Sequence, residues 1–239
     1  MPKIAFVTGA DRGLGQALSA GLLAQGWTVY AGQYMPAWEE LSALQMQHPG
    51  ALQLIPLDVT SDGSVRKAAE LVGATTDHVD VLINNAGVIT TPVETLISDR
   101  QNYAEMHRLY DTNSLGPLRM VEAFLPLLQK SHTKRLCFVS SEAGSIERCR
   151  RKGWYGYCMS KTALNMAVRI MFNELRPEGF TFRLYHPGWM RTYMSGTKNT
   201  EADMEPREAA AKALPIFLSN RADEDRLVMV DYLGGEWPW

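Results

Sequence analysis

Two side chains in this sequence have the types and the spacing to move a proton. Tyr157 and Lys161 stand four residues apart in Tyr157-Cys158-Met159-Ser160-Lys161. On a helix, positions i and i+4 share one face, so an ammonium group would lie beside a phenol. A neighbouring cation favours the phenolate. Free tyrosine titrates at about 10, and bringing it to neutrality takes about 4 kcal/mol from Lys161 and any further positive charge. A phenol tuned in this way gives or takes a proton near neutral pH. The same spacing also arises where a surface tyrosine covers a lysine stem, so the pair needs support from elsewhere.

That support starts with Thr8-Gly9-Ala10-Asp11-Arg12-Gly13-Leu14-Gly15, which follows an apolar run and precedes a helical pattern. The spacing is G-x-x-x-G-x-G. Glycines there permit a tight turn, a close approach of backbone to a pyrophosphate, and close helix–strand packing. The helix start adds free N–H groups and the positive end of its dipole. No Lys-Ser/Thr follows the glycines, which sets aside a nucleoside-triphosphate P-loop.

The elements that must position these residues alternate along the chain. Strands are expected at Lys3–Thr8, Thr28–Ala31, Leu52–Leu57, Val79–Asn84, Arg135–Ser140, Thr181–His186 and Leu227–Val230. Helices are expected at Leu14–Gln25, Trp38–Gln47, Ser61–Gly73, Tyr155–Arg176 and Pro206–Leu218. A long helical region, Asn102–Lys130, should bend near Gly116-Pro117. The alternation predicts an α/β Rossmann fold: one domain over residues 1–239 with a doubly wound, seven-stranded parallel sheet and helices on both faces. Ligands of such sheets bind at the carboxyl ends of the strands, where each motif falls.

Composition excludes several classes. The formal net charge is -2, so no field points to nucleic acid. No apolar stretch approaches the roughly 18 residues of a membrane span, and the apolar N-terminal run is too short for a signal peptide. Three scattered cysteines fit a reducing, cytoplasmic setting. Five histidines without metal spacing predict no metal site.

Further motifs complete a pattern. Asn84-Asn85-Ala86-Gly87 follows the fourth strand, Ser140-Ser141 the fifth and Pro187-Gly188 the sixth, while Asn113 sits inside the long helical region. In this order, across residues 4–192, the chain resembles the short-chain dehydrogenase/reductase family in its classical form. The ending Asp231–Trp239 is similar to that of carbonyl-reductase-like members. The resemblance implies an NAD(P)-dependent oxidoreductase acting on a ketone, aldehyde or secondary alcohol. Tyr157 would then be the general acid in reduction and the base in oxidation. Lys161 would lower the Tyr157 pKa and bond the nicotinamide ribose. Ser141 would hold the substrate oxygen, and Asn113 would anchor a water linking Lys161 to solvent. For the cofactor it implies Thr8, Gly9, Asp11, Arg12, Gly13, Leu14 and Gly15 at the phosphates. Asp58 and Val59 would meet the adenine, Asn85, Ala86 and Gly87 the adenosine side, and Pro187, Gly188 and Thr192 the carboxamide. It also implies a homo-oligomer, dimer or tetramer, paired through the two long helices.

Some choices stay open at this level. Ser140 and Ser141 compete, and strand geometry favours Ser141 over both Ser140 and the later Ser145. The loop before Tyr157 is longer than usual and carries Glu147-Arg148-Cys149-Arg150-Arg151-Lys152, either a solvated basic turn or a rim attracting an anionic substrate. Asp58 also suits a helix cap. The second strand ends in Tyr30-Ala31-Gly32-Gln33-Tyr34 without the acid that binds a ribose 2′-hydroxyl. Arg12 suits a 2′-phosphate, which favours NADP over NAD. Trp154, Trp189, Met190 and Tyr193 are expected to shape an apolar pocket under a lid at about 189–206. A cofactor-bound regulator without turnover and a Rossmann-like methyltransferase are the competing readings. The segment after Pro187 is short for the substrate domain of a sugar-nucleotide epimerase.

Overall fold

A computed structural model describes residues 2–90 and 95–239. Eight strands form one sheet in the order β3-β2-β1-β4-β5-β6-β7-β8. They are β1 (Ile4–Val7), β2 (Thr28–Gln33), β3 (Leu52–Pro56), β4 (Val81–Asn84), β5 (Arg135–Val139), β6 (Thr181–His186), β7 (Met229–Asp231) and β8 (Glu236–Trp237). Seven are parallel and β8 pairs antiparallel with β7. The helices are α1 (Gly13–Ala24), α2 (Glu39–Gln47), α3 (Asp62–Gly73), α4 (Tyr103–Tyr110), α5 (Gly116–Gln129), α6 (Tyr155–Leu175) and α7 (Pro206–Leu218).

The central strands are apolar on both faces because both faces are covered. Residues of α1, α2 and α7 pack into one core with Val7, Val29 and Ile83. Those of α3, α5 and α6 pack into the other with Phe6, Leu82 and Phe138. Strand order reverses between β1 and β4, which opens the crevice at their carboxyl ends.

Two expectations need correction. The sheet has eight strands, not seven. Asp231 accepts from the N–H groups of Leu233 and Gly235 and from the Trp237 indole, which turns the chain back as β8. A strand of two residues carries no periodicity to read. The region 102–130 is also not one bent helix. Between α4 and α5, Asp111–Leu115 forms a π-turn, in which the Gly116 N–H bonds to the Asp111 carbonyl five residues back. Pro117 drives the change, since it has no N–H to offer the Asn113 carbonyl. The other boundaries shift by a residue or two.

Two buried polar ties fix the elements that carry the site. The Ser140 hydroxyl donates to Asn165 Oδ1 at 2.6 Å, and Asn165 Nδ2 donates to the Gly144 carbonyl at 3.1 Å. These bind the loop after β5 to α6. Asn165→Ala leaves the Ser140 hydroxyl buried without its partner, while the Gly144 carbonyl keeps Thr162, and should lower the unfolding free energy by about 1–3 kcal/mol. Urea titration measures this; an unchanged midpoint would show the tie to be dispensable.

Candidate active site

Tyr157 lies in the first turn of α6 and is 7% exposed, and Lys161, one turn on, is 3% exposed. Gly156 lets this turn approach α4, since a Cβ there would stand 2.9 Å from both Leu109 and Met106. Lys161 Nζ lies 5.8 Å from the Tyr157 ring centre and donates to the Val139 carbonyl at 3.0 Å. The Ser141 hydroxyl lies on the Tyr157 phenol side of the site and favours its ionised form. It also accepts from the Ala143 N–H at 3.1 Å. Ser141 thus meets Tyr157, whereas Ser140 is spent on Asn165. Ser145 points elsewhere, donating to the Trp239 carbonyl.

Burial dominates the electrostatics. It pushes the Tyr157 phenol up to about 12, against a smaller downward pull from Ser141. It pushes Lys161 down to about 8. The shift of Tyr157 runs opposite to the lowering expected from Lys161. At neutral pH the phenol holds its proton and the lysine its charge. Cys158, next in sequence, is pushed up to about 11 by burial, which leaves it inert as a nucleophile.

Asn113 is 1% exposed in the π-turn. Its side chain is tied at both ends: Oδ1 accepts from the Val88 N–H at 2.8 Å, and Nδ2 donates to the Val88 carbonyl and to Ser160 Oγ. Ser160 in turn donates to the Tyr157 carbonyl at 2.8 Å. Ser160 and Asn165 were missed by sequence reading. The signal was present, since Tyr157, Lys161 and Asn165 recur at i, i+4 and i+8 on one buried face.

The glycine turn is stitched to the loop after β4. Thr8 Oγ1 accepts from the N–H groups of Asn85 and Ala86, both at 2.9 Å, and Asn85 Nδ2 donates to the carbonyls of Thr8 and Gly9. A Cβ at Gly9 would stand 2.8 Å from Ala86 Cα, and one at Gly15 2.2 Å from the Gly9 carbonyl. Gly9 and Gly13 have φ of +61° and +58°. These glycines are required, and Leu14 is a core side chain. The first turn of α1 holds no acid and no side-chain cap, so its N–H groups are left for an anion. A Cβ at Gly87 would meet Asn113 Oδ1 at 3.3 Å and Lys161 Nζ at 3.7 Å, so the backbone cradle continues to Lys161. An open helix start leading to a buried cation and phenol fits a dinucleotide whose pyrophosphate lies at one end and whose reactive ring lies at the other.

Several expected residues are partly committed to structure. Asp11 is 3% exposed, and its carboxylate accepts from the Tyr34 and Met35 N–H groups. Asp58 Oδ1 accepts from the Thr60 N–H and hydroxyl, and Ser61, not Asp58, caps α3. Val59 packs against Gly116. Gly188 has φ +80°, and a Cβ there would strike Met204 and Tyr232, while Thr192 lies over Gly13. Pro187, directly after β6, is buried. Arg12 Nη2 donates to the Tyr193 carbonyl at 3.1 Å, and its guanidinium stands 4.5 Å over the Trp38 ring. The expected pocket wall is therefore divided. Trp154 meets Tyr157, Tyr193 packs on Trp38, and Trp189 is exposed. The basic loop is mostly engaged: Arg148 stacks on Trp237, Arg150 bonds the carbonyls of Glu147 and Cys149, and Arg151 pairs with Glu142.

Among the described residues no cluster of His, Cys, Asp and Glu suits a metal ion. No described helix is long and apolar enough to cross a membrane. The family model for short chain dehydrogenases matches residues 3–203. An uncharacterized oxidoreductase of Schizosaccharomyces pombe is 37% identical over 195 residues, covering 81% of this chain and 76% of that protein. The C-signal protein of Myxococcus xanthus is 42% identical over 164 residues, covering 69% of this chain and 95% of that protein. The NADPH-bound carbonyl reductase from chicken fatty liver superposes with a TM-score of 0.87 at 30% identity, over 100% of this chain and 99% of that one. With these matches, the chain belongs to the short-chain dehydrogenase/reductase family of NAD(P)-dependent oxidoreductases.

Proposed function

We propose that this enzyme moves a hydride between NADP(H) and a ketone, aldehyde or secondary alcohol, with Tyr157 as proton donor in reduction. The observation that carries this reading is the convergence of the Ser141 hydroxyl, the buried phenol and the buried Lys161 at the end of the Gly87 cradle. The nicotinamide, when bound, supplies the hydride. The protein supplies position and charge. Ser141 donates to the substrate oxygen as negative charge develops on it. Tyr157 then delivers its proton to that oxygen, and the Lys161 cation stabilises the phenolate left behind. Lys161 would also hold the nicotinamide ribose. Both Asn113 side-chain N–H groups are spent and Oδ1 already takes the Val88 N–H, and its main-chain carbonyl would be the acceptor for the relay water. The glycine turn, Asp58–Val59 and Asn85–Gly87 would seat the adenosine and phosphates. Pro187, Gly188 and Thr192 would frame the carboxamide, and residues 189–206 would form a lid on the single domain.

NADP is preferred for a physical reason. The acid nearest the end of β2, Asp11, is buried on backbone N–H groups, and Arg12 is held beside that edge. A chicken relative of the same fold binds NADPH. The relative named C-signal favours a second reading, a cofactor-bound regulator whose role needs no turnover. The exposed Met159, Met166 and Ile170 stripe along α6 suits pairing of two copies.

Calorimetry, kinetics and light scattering test these assignments. Calorimetry should find NADPH bound more tightly than NADH, with Arg12→Ala costing NADPH about 1.5–3 kcal/mol and NADH little; equal losses would overturn the 2′-phosphate assignment. Tyr157→Phe should abolish carbonyl reduction while still binding NADPH, and a biological role that survives this change would favour the regulator.

The Lys161 prediction follows from its shift. Its pKa falls from 10.5 to about 8 on folding. Below about pH 8 both states are charged and burial destabilises the fold; between the two values the unfolded chain binds more protons, so this group adds stability as pH rises. The kcat/KM for reduction should therefore fall above about pH 8 as the cation is lost. Lys161→Met should lose at least about 10²-fold in kcat without melting lower at neutral pH. A parallel loss of both would make Lys161 structural. Finally, Met166→Asp with Ile170→Asp should reduce the mass measured by light scattering to that of one chain, and an unchanged mass would place any interface elsewhere.

A further inference from the structure

Trp154 takes no part in the proton transfer described above, yet it is the most constrained neighbour of Tyr157. Its backbone is left-handed, with φ +67°. Bulky L-residues rarely adopt that conformation, and strain of this kind collects at functional positions. The surroundings hold it there. The indole lies nearly flat on the Tyr157 ring, with centroids 4.5 Å apart and planes 22° apart. The Arg151 guanidinium stands over the indole at 4.9 Å. Arg151 is ion-paired with Glu142, which directly follows Ser141. Gly153 presses the chain against the Thr95 carbonyl, 2.7 Å from where a Cβ would be. The indole N–H is buried with no acceptor among the described residues. The position therefore uses the face of the ring rather than its hydrogen bond.

The helix explains the need. Tyr157 lies in the first turn of α6, whose N-cap is Trp154 itself, without a side-chain cap. First turns fray when their N–H groups lack partners. A phenol there is only as fixed as the group packed on it.

We propose that Trp154, clamped by Arg151 and Glu142, is a positioning residue for Tyr157. It closes one face of the phenol ring to water and holds the hydroxyl toward Ser141 and the substrate oxygen. Arg151 in the long loop thus serves an aromatic stack rather than an anionic substrate. The proposal rests on Tyr157 as proton donor, and its test is arranged so that the two can fail separately.

The test uses Trp154→Phe, which keeps a ring, and Trp154→Gly, which removes it and relieves the backbone. The free proteins are treated with tetranitromethane and nitration of Tyr157 is read by peptide mass spectrometry. Wild type and Trp154→Phe should stay protected, and Trp154→Gly should be modified. In NADPH-dependent carbonyl reduction, Trp154→Gly should lose about 10²-fold in kcat, the scale expected for a misplaced reacting group, with its NADPH affinity and melting temperature kept. Trp154→Phe should retain most of the activity. If the glycine variant does not fold, Arg151→Met takes its place, with partial nitration expected. Equal nitration in wild type and Trp154→Gly, or a change in carbonyl KM with kcat untouched, would overturn the proposal. If wild type reduces no carbonyl, the donor reading fails, and the nitration result still decides whether Trp154 holds the ring.

Discussion

Lys161 brings an ammonium group to a place that is 3% exposed, where the Val139 carbonyl is its hydrogen-bond partner among the described residues. A buried cation with one acceptor is destabilising, and the downward shift of its pKa expresses that cost. Much of the site is arranged around keeping it. The end of β5 supplies the carbonyl, α6 supplies the rigid stem, and Gly87 clears space beside it. The phenol next to it is driven the other way, toward holding its proton. One environment therefore fixes a cation and a neutral acid side by side, which is the pairing that delivery of a proton to an oxygen requires.

The opposite end of the crevice is built almost without side chains. Thr8 and Asn85 spend their polar atoms on each other's backbone. Gly9 and Gly15 are there because any Cβ would collide with backbone across the gap. This makes the switch point rigid and leaves the start of α1 open. Binding at this end is then a matter of backbone geometry and helix dipole, whereas chemistry at the other end is a matter of two titrating groups. The π-turn joins the two, since Asn113 ties the loop after β4 to Ser160 on α6.

Most of this was legible because it rests on local rules. Buried parallel strands read as continuous apolar runs, helix stops such as Gly26 read as glycines with positive φ, and Tyr157 and Lys161 read as one face of a helix. What failed to read depends on partners far away in sequence. Nothing local says that Asp11 will cap Tyr34 and Met35, or that Ser140 will be taken by Asn165. The phenol shift was misjudged for the same reason. Spacing reveals the lysine but not the depth of burial, which is the largest influence on the phenol.

The missed strand shows how far such dependence reaches. Two residues of antiparallel pairing are marginal by themselves. Trp237 is held by Asp231 and receives Arg148 over its ring, while the Trp239 carbonyl accepts from the Glu147 N–H at 2.8 Å. So β8 is stabilised by the long loop after β5, and the loop by β8. That loop begins at Ser141 and ends at Trp154. The edge of the sheet and the floor of the site are thus one packing unit. Arg148 over Trp237 and Arg151 over Trp154 anchor the same loop, one at the sheet edge and one beside Tyr157, with no contact to the reacting atoms.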